Sequence, residues 1–113
     1  MSPKDCIFCK IANKEFNTEF VVETEDYISF KDLSPQAPVH ALVIPKQHFA
    51  SLNEMKDAEL MGKLLQGARD TAEKLGVGDN YRVVINTGEK AGQSVFHVHV
   101  HVLGGRAMQW PPG

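Results

Sequence analysis

The sequence predicts an α+β domain, built on an antiparallel sheet of about five strands with one long helix and a short helix near the N-terminus. Short strand-like runs, joined by brief turns, occur in both halves of the chain. Only one segment, residues 57–75, has the apolar period of a long helix. Because helices do not alternate with the strands, parallel βαβ units are not expected.

The chain opens with a short helix followed by two strands. Residues 6–13 carry apolar side chains at helical spacing, and we expect Asp5 to be the N-cap. The runs 19–23 and 27–31 are rich in aromatic and β-branched residues. A Thr-Glu-Asp turn joins them, so they are predicted to be two strands that follow each other closely.

The middle of the chain holds a buried strand and the long helix. Residues 34–38 contain two prolines and break the strand pattern, whereas 39–44 is mostly apolar and is ended by Pro45. The helix 57–75 is followed by Gly76, a residue suited to the left-handed position after a helix. The apolar residues of the helix are expected to face the core: Leu60, Met61, Leu64, Leu65, Ala68, Ala72 and Leu75.

Two further strands and a glycine-containing loop complete the chain. Residues 81–86 are predicted to be a strand, and 87–94 a loop. The strand 96–102 follows and stops before a pair of glycines. Residues 106–113 contain the only tryptophan and two consecutive prolines, so neither a helix nor a central strand is expected there.

Three of the five histidines, His97, His99 and His101, lie at alternate positions within the predicted strand 96–102. Alternate residues of a strand point to the same side. We therefore expect the three imidazoles to line one face of the sheet while the valines between them pack into the core. The row predicts an active site, because imidazole serves as nucleophile, proton donor or metal ligand at neutral pH.

Two kinds of chemistry fit this row. A catalytic metal would use only two of the three histidines, because His97 and His101 lie about 13 Å apart along a strand, whereas zinc ligands lie about 2.1 Å from the metal. Nucleophilic attack on phosphorus is the favoured interpretation, with a neutral nucleophile beside a protonated donor, since like charges disfavour full protonation. The backbone N–H groups of Gly92, Gln93 and Ser94 would then hold the oxygens on phosphorus.

Size and charge narrow the classes of partner. The chain has 113 residues, with 12 basic and 14 acidic side chains, and one domain over 1–113 is expected. No basic cluster is present, so we expect no nucleic-acid polymer as partner. The start, Met1–Asp5, has no apolar signal core, and no run is long enough to cross a bilayer. We therefore expect no membrane association and a cytoplasmic location, with the nucleus or an organelle interior as open alternatives.

Cys6 and Cys9 are the only cysteines, and two residues separate them. Three interpretations stay open. The pair supplies half of a zinc site, which needs two further ligands. Alternatively, it consists of two small buried thiols. A redox role is the weakest interpretation, because the sequence that follows is not a βαβ pattern.

Several segments together resemble the histidine triad (HIT) superfamily and, within it, the Hint branch. The run His97-Val98-His99-Val100-His101-Val102-Leu103 is similar to the signature of the superfamily. Segments from nearly the whole chain resemble the Hint branch: Cys6–Ile11, Ser34–His40, Leu42–Lys46, Gly92–Phe96, Leu103–Arg106 and Trp110–Gly113. The resemblance implies a HIT-like fold, a single HIT domain over 1–113, and a homodimer in which the sheet continues across the interface.

The same resemblance implies a hydrolase of purine nucleoside phosphoramidates, compounds in which a nucleotide such as AMP is joined to an amine. His99 would attack phosphorus and form a covalent nucleotidyl-histidine that water then cleaves. His101 would donate to the α-phosphate, and Ser94 would bind the phosphate or pass a proton to the leaving amine. His40 would orient the triad. Catalysis is expected to need no cofactor, and no acidic cluster suggests magnesium.

The resemblance also implies where a purine nucleotide would bind. Asp32 would accept hydrogen bonds from the ribose hydroxyls. The base would lie among Phe8, Ile11, Phe30, Leu33 and Leu42. The phosphate side would be lined by Asn86, Gly92, Ser94 and Val95. Without the resemblance, the apolar residues would be assigned to the core, and Asp32 to a turn before Ser34.

Two further implications concern the dimer and a metal. Trp110 would reach the site of the partner subunit, with the tail 106–113 docked at the dimer interface. The resemblance to some bacterial-type members of the superfamily implies a structural zinc site in which two histidines complete the cysteine pair. The corresponding set here is Cys6, Cys9, His48 and His97. His97 would then be structural, and the catalysis would be left to the other two histidines of the row.

Two other functions stay open. One is hydrolysis of dinucleoside polyphosphates, the activity of the Fhit branch, which Ser94 and the Trp-Pro-Pro-Gly ending disfavour. The other is an interaction module that zinc stabilises and in which catalysis is vestigial. Assays of turnover and of nucleotide binding distinguish these alternatives.

Overall fold

The computed structural model describes residues 3–113, so Met1 and Ser2, part of the stretch in which the sequence shows no secretion signal, lie outside it. It has the predicted α+β architecture, with a five-stranded antiparallel sheet in the order β1-β2-β3-β5-β4. The elements in chain order are α1 (Ile7–Ala12), β1 (Phe20–Glu23), β2 (Tyr27–Lys31), β3 (Val39–Pro45), α2 (Ala58–Lys74), β4 (Tyr81–Val84) and β5 (Val100–Gly104). Three short 3₁₀ turns lie at Pro3–Asp5, Leu52–Glu54 and Glu89–Ala91.

The sheet buries a different cluster on each face. On one face α2 packs against the valines of the histidine segment, and the cluster includes Val98, Val100, Val102, Leu60 and Leu64. On the other face α1 packs with Ile28, Phe30, Leu42 and Ile44. The rings of His97 and His99 both contact Phe8 of α1. The prediction that imidazoles and valines point to opposite sides is therefore confirmed.

The start of α1 differs from the prediction. Cys6, and not Asp5, is the N-cap: its Sγ accepts the backbone N–H of Cys9 at 3.4 Å. Asp5 lies in the preceding 3₁₀ turn. Cys6 is fully buried and its sulfur lies 3.3 Å from Nδ1 of His97, so a tertiary contact fixes the residue at which the helix begins.

The long helix follows the prediction at both ends. Asp57 is the N-cap, and its Oδ1 accepts the backbone N–H groups of Glu59 and Leu60. Gly76 has a φ of +81° beyond the last turn. Leu65 is 54% exposed, so its expected place on the buried face is wrong. The buried stripe is displaced from the predicted one: it adds Gly67 and Thr71, whereas Met61 and Leu75 are only half-buried. Its members are Leu60, Leu64, Gly67, Ala68, Thr71 and Ala72. Among the described residues, no helix is long and apolar enough to cross a bilayer.

Four strands have different ends from those predicted. β1 begins one residue later, at Phe20, and β3 ends one residue later, at Pro45. β4 stops at Val84 instead of continuing to residue 86, and β5 covers Val100–Gly104 instead of 96–102, so it includes the first glycine of the pair. The ladder between β3 and β5 ends at the pair Val43–Val100. Further along, β3 reaches Pro45, which has no N–H to donate. Val98 instead donates its N–H to the carbonyl of Phe49 at 2.7 Å, so the start of the histidine segment is held by a loop.

A glycine in α2 gives a test of the packing between helix and sheet. A Cβ added at Gly67 would lie 2.7 Å from Cε1 of Tyr27, whose ring is buried. We expect Gly67→Ala to lower the free energy of unfolding by about 1–3 kcal/mol, since a buried ring must move. Gly62→Ala is the matched control: no atom lies within 4 Å of its added Cβ, so stability should rise by up to about 1 kcal/mol. Equal effects of the two changes in denaturant titrations would contradict this packing.

Candidate active site

Four of the five histidines divide between two clusters on the face of the sheet that α1 covers. The ring of His97 lies with Cys6, Cys9 and His48, and these four side chains form one cluster. His101 lies with His40 and Asp32 in the other. His99 stands between them, because its ring contacts that of His101 at 5.0 Å and that of Phe8 at 5.1 Å.

A backbone carbonyl fixes the protonation of His99. Nδ1 of His99 lies 2.8 Å from the carbonyl oxygen of His97, an atom that can only accept. Nδ1 therefore carries the hydrogen and donates it, and Nε2 is left with a free lone pair. Burial lowers the pKa of His99 below its ordinary value of 6.5, so this lone pair is available at neutral pH.

A chain of hydrogen bonds sets the protons of the neighbouring pair. The backbone N–H of Gln36 donates to Nδ1 of His40 at 3.0 Å, so the hydrogen of a neutral His40 is on Nε2. That Nε2–H lies 2.9 Å from Nδ1 of His101 and donates to it. His101 is thereby left with its own hydrogen on Nε2. Asp32 Oδ2 lies 3.4 Å from Nε2 of His40, on the same side of the pair.

His101 is a neutral donor. Burial, helped by the imidazoles of His99 and His40, lowers the pKa of His101 to about 4. The expectation of a protonated donor beside the nucleophile is therefore wrong, because two neighbouring rings and loss of solvent both disfavour the charge. The neutral ring still offers one N–H, which is sufficient to hold an oxygen on phosphorus.

The four residues proposed as metal ligands come together from three separate segments. Nδ1 of His97 lies 3.3 Å from Sγ of Cys6 and 3.5 Å from Sγ of Cys9. Nδ1 of His48 lies 3.3 Å from Sγ of Cys9 and 3.2 Å from Nδ1 of His97. The Nε2–H of His97 donates to the carbonyl of Pro45 at 2.9 Å, so Nδ1 presents its lone pair to the cluster.

These distances fit a tetrahedral zinc site. Ligand atoms at about 2.3 Å (sulfur) and 2.1 Å (nitrogen) from zinc are separated by about 3.4–3.8 Å in a tetrahedron, and the observed separations of 3.2–3.5 Å are within a few tenths of an ångström of that range. Burial raises the pKa of the Cys9 thiol to about 11, and the neighbouring thiol of Cys6 contributes to this increase. Without a metal, a thiol so weakly acidic is a poor nucleophile, so Cys9 lacks the lowered pKa that is typical of a redox-active thiol. The Asp32–His40–His101 cluster does not have the spacing of metal ligands. Its two imidazole nitrogens lie 2.9 Å apart, which is the distance of a direct hydrogen bond.

The glycine-containing loop before the histidine segment closes on itself. Gly88 and Gly92 have φ values of +93° and +103°, a region that favours glycine. The N–H of Gly92 donates to Glu89, and that of Gln93 donates to Gly88. Two of the three predicted phosphate donors are thus engaged, which corrects the expectation for them. The side chain of Asn86 lies beside Gly92, with its Nδ2 3.6 Å from where a Cβ would be.

Ser94 is the donor that the loop leaves for a ligand. Ser94 is exposed. Within residues 3–113, neither its hydroxyl nor its N–H has a protein partner. Val95, the next residue, is half-buried and packs against the cluster on the α1 face.

The residues proposed around the base and ribose lie at one end of the sheet. Phe8, Ile11, Phe30 and Leu42 belong to one buried cluster. Leu33 is 99% exposed, so only a ligand or a partner would cover it. A groove of about 600 Å³ is bordered by Ile11, Phe30 and Leu33 together with residues 17–21. Asp32 Oδ1 accepts the N–H of Ser34 at 2.8 Å, as its assignment to a turn predicts, and Oδ2 lies 3.4 Å from Nε2 of His40.

Trp110 takes no part in the core of its own chain. Its side chain is 81% exposed, and the guanidinium of Arg82 lies 6.0 Å from its ring. Arg82 also donates to the carbonyl of Gln109 at 3.0 Å, so the tail is held along β4. Within its own chain, Trp110 therefore lies beside β4, where it contacts Arg82.

Sequence reasoning missed the groups that fix the site through hydrogen bonds. The backbone N–H of Gln36 and the carbonyls of Pro45 and His97 orient three imidazoles, and no side-chain pattern marks them. The side chain of Gln93 was missed as well. A long amide directly before Ser94 in a loop with glycines was the one signal available.

Comparisons with known proteins agree with this geometry. The family model for the HIT domain matches residues 13–108. A HIT-like protein of Synechocystis sp., described as uncharacterized, is 47% identical over 112 residues, which are 97% of this chain and 98% of that one.

Solved structures resemble the fold closely. The crystal structure of a HIT family hydrolase from Legionella pneumophila superposes with a TM-score of 0.92 at 44% identity, covering 96% of this chain and all of that one. The histidine triad nucleotide-binding protein from Candida albicans gives a TM-score of 0.82 at 32% identity, covering 95% and 83%.

Proposed function

Since this chain belongs to the HIT domain family, we propose that it is a hydrolase of purine nucleoside phosphoramidates, of the type found in the Hint branch. The observation that carries the proposal is the hydrogen bond from Nδ1 of His99 to the carbonyl of His97, which leaves Nε2 as a neutral nucleophile. The relatives described as a hydrolase and as a nucleotide-binding protein support the general class.

The first half of the reaction forms a covalent intermediate. Nε2 of His99 attacks phosphorus, a nitrogen–phosphorus bond forms, and the bond from phosphorus to the substrate amine breaks. The electron pair of that bond goes to the leaving nitrogen, which must take up a proton because an amide anion leaves poorly. The Ser94 hydroxyl, which has no protein partner within residues 3–113, can give its proton to this nitrogen while it takes up another from the solvent to which it is exposed. The N–H of Ser94 and Nε2–H of His101 hold the phosphoryl oxygens.

The second half returns the enzyme to its starting state. Water attacks phosphorus and releases one proton to the solvent, which balances the proton taken up in the first half. The bond to Nε2 of His99 breaks, its electron pair returns to that nitrogen, and the nucleoside monophosphate leaves. The backbone carbonyl of His97 keeps the Nδ1–H of His99 in place throughout, so the ring does not need to turn. His40 contributes by holding the hydrogen of His101 on Nε2. The mechanism needs no metal at the reacting atoms.

A comparison of substrates tests the proposal. We expect the purified protein to release AMP from an adenosine phosphoramidate with a simple amine, and to hydrolyse diadenosine triphosphate far more slowly. Mass spectrometry of a rapidly quenched mixture should find one nucleotidyl group on the peptide that contains His99. Faster turnover of the dinucleotide would favour the Fhit-type alternative. Absence of both turnover and nucleotide binding would favour an interaction module.

We further propose that Cys6, Cys9, His48 and His97 hold a structural zinc ion. The four ligand atoms lie within 4.8 Å of one another, and their separations suit a tetrahedron. The donor set, two thiolates and two imidazoles, is one that zinc prefers. When bound, the ion would supply only cohesion between α1, the loop at His48 and the histidine segment. His97 would then take no direct part in the reaction.

A homodimer is part of the same proposal. β4 is an outer strand of the sheet, and its residue Val83 is 37% exposed. Leu65 on α2 is 54% exposed. The exposed Trp110 belongs to the tail that runs along β4. A groove of about 860 Å³ lies between residues 79–82 and residues 105–108, where this tail begins. An interface that includes these surfaces would cover the apolar side chains and would allow Trp110 to reach the partner subunit.

A further inference from the structure

Gln93 is a buried polar residue to which the proposed mechanism gives no role. It is 2% exposed and directly precedes Ser94. Its Oε1 accepts the backbone N–H of Gly88 at 2.9 Å, and its Nε2 donates to the carbonyls of Ala50 at 2.7 Å and Val95 at 3.1 Å. These three partners fix the orientation of the amide, because the reversed amide would face two carbonyls with its oxygen.

The bonds of Gln93 hold the peptide groups on both sides of Ser94. On one side, the N–H of Gln93 donates to the carbonyl of Gly88 at 3.1 Å. On the other, its Nε2 holds the carbonyl of Val95. Ser94 lies between these two anchored points, and its own N–H and hydroxyl are turned to no protein acceptor within residues 3–113.

The bond to Ala50 connects this loop with the rest of the site. Ala50 ends the segment 48–50, whose first residue, His48, belongs to the cysteine–histidine cluster. The middle residue, Phe49, accepts the N–H of Val98, the residue between His97 and His99. Gln93 therefore joins the loop that carries Ser94 to the same segment that holds Val98, the residue directly before the proposed nucleophile.

We propose that Gln93 is a positioning residue that sets the donors of Ser94 against phosphorus. It rests on the proposed function, because it assumes a phosphoryl group between Ser94 and Nε2 of His99. Gln93 itself does not touch the substrate. The competing explanation is purely structural: the amide would only satisfy three backbone groups that burial leaves without water. The two explanations differ in how a change at Gln93 combines with a change at Ser94.

A double-mutant cycle tests the proposal. Gln93→Met keeps the length of the side chain and removes its hydrogen bonds, and Ser94→Ala removes the hydroxyl. We expect each single variant to lower kcat for an AMP–amine by about 10- to 100-fold, with KM changed by less than about threefold. Because Gln93 acts through Ser94, the double variant should lie within about threefold of the slower single variant. Gln66→Met, an exposed glutamine on α2, is the matched control and should keep wild-type activity.

Two results would overturn the proposal. One is a Gln93→Met enzyme with a kcat within about twofold of wild type. The other is a double variant in which the two losses multiply, as independent effects do. Thermal unfolding of every variant ensures that rates are compared for folded protein. If the methionine variant does not fold, Gln93→Asn replaces it, since its amide is one methylene too short for all three partners.

Turnover and AMP affinity, the latter measured by calorimetry on the same proteins, together separate this proposal from the proposed function. Wild-type protein that binds AMP without hydrolysing the phosphoramidate contradicts the proposed function. The positioning role falls with it, because it assumes phosphoryl transfer at Ser94. Wild-type protein that turns over the phosphoramidate, with losses of kcat at Gln93 and Ser94 that multiply, overturns the positioning role alone and leaves the proposed function standing. Wild-type protein without turnover and without AMP binding overturns both.

Discussion

Replacement of His99 by alanine is expected to lower kcat for an AMP–amine by at least about 10⁴-fold, because a covalent mechanism has no substitute for its nucleophile. AMP affinity should stay within about threefold of wild type, since the base, ribose and phosphate contacts involve other residues. The fold should tolerate the change, because the ring of His99 packs mainly against Phe8 and His101 at the edge of the α1 cluster. Steady-state rates and calorimetric titration with AMP measure the two quantities.

The adduct gives an independent check on the same residue. Quenched wild-type reactions should contain a nucleotidylated peptide, and reactions of the His99→Ala protein should contain none. His101→Ala is an informative companion, because it removes a donor and leaves the nucleophile: it should slow formation of the adduct without abolishing it. A His99→Ala enzyme with wild-type turnover, or an adduct on another residue, would end the mechanism.

The second large effect is expected at the cysteine–histidine cluster. His48→Gln removes one of four ligands and should reduce bound zinc from about one ion per chain to a small fraction. The midpoint of thermal unfolding should fall by about 10–20 °C, because metal binding contributes directly to folding stability. His101→Gln is the matched control, since it changes a half-buried histidine outside the cluster and should leave the zinc content unchanged.

Metal analysis and calorimetry decide between the two interpretations of the cysteines. Zinc-free wild-type protein that stays folded and takes up no added zinc would show that Cys6 and Cys9 are buried thiols. A chelator that lowers the unfolding midpoint of wild type and leaves that of His48→Gln unchanged would support the ion. The redox interpretation predicts a different result, a thiol that reacts readily at neutral pH, and the raised pKa of Cys9 opposes it.

Features that depend on periodicity were predictable from the sequence. The alternation of histidine and valine predicted which side chains share a face, and the structure confirms it. The long helix was predictable for the same reason, because its caps, Asp57 and Gly76, are local signals. Leu65 is exposed because periodicity defines a helical face only approximately, and the face that is buried is displaced toward Gly67 and Thr71.

Features that depend on tertiary contacts were not predictable in this way. The N-cap at Cys6 follows from burial of its thiol against His97, and the late start of β5 follows from the carbonyl of Phe49. The proton positions of the imidazoles depend on backbone groups 2 to 52 residues away along the chain. The loop amides at Gly92 and Gln93 are engaged because the loop folds onto itself, which composition does not indicate.

The alternation between 97 and 102 also limits how this gene can change. Deletion or insertion of one codon within the segment would exchange its two faces, because the side chains of extended backbone repeat every two residues. Valines would then point to the face that α1 covers, and imidazoles would enter the buried layer beneath α2, where charged or unpaired polar groups are costly. In a library of variants, single-codon deletions within residues 97–102 should therefore abolish folding or activity more often than point substitutions at the same positions.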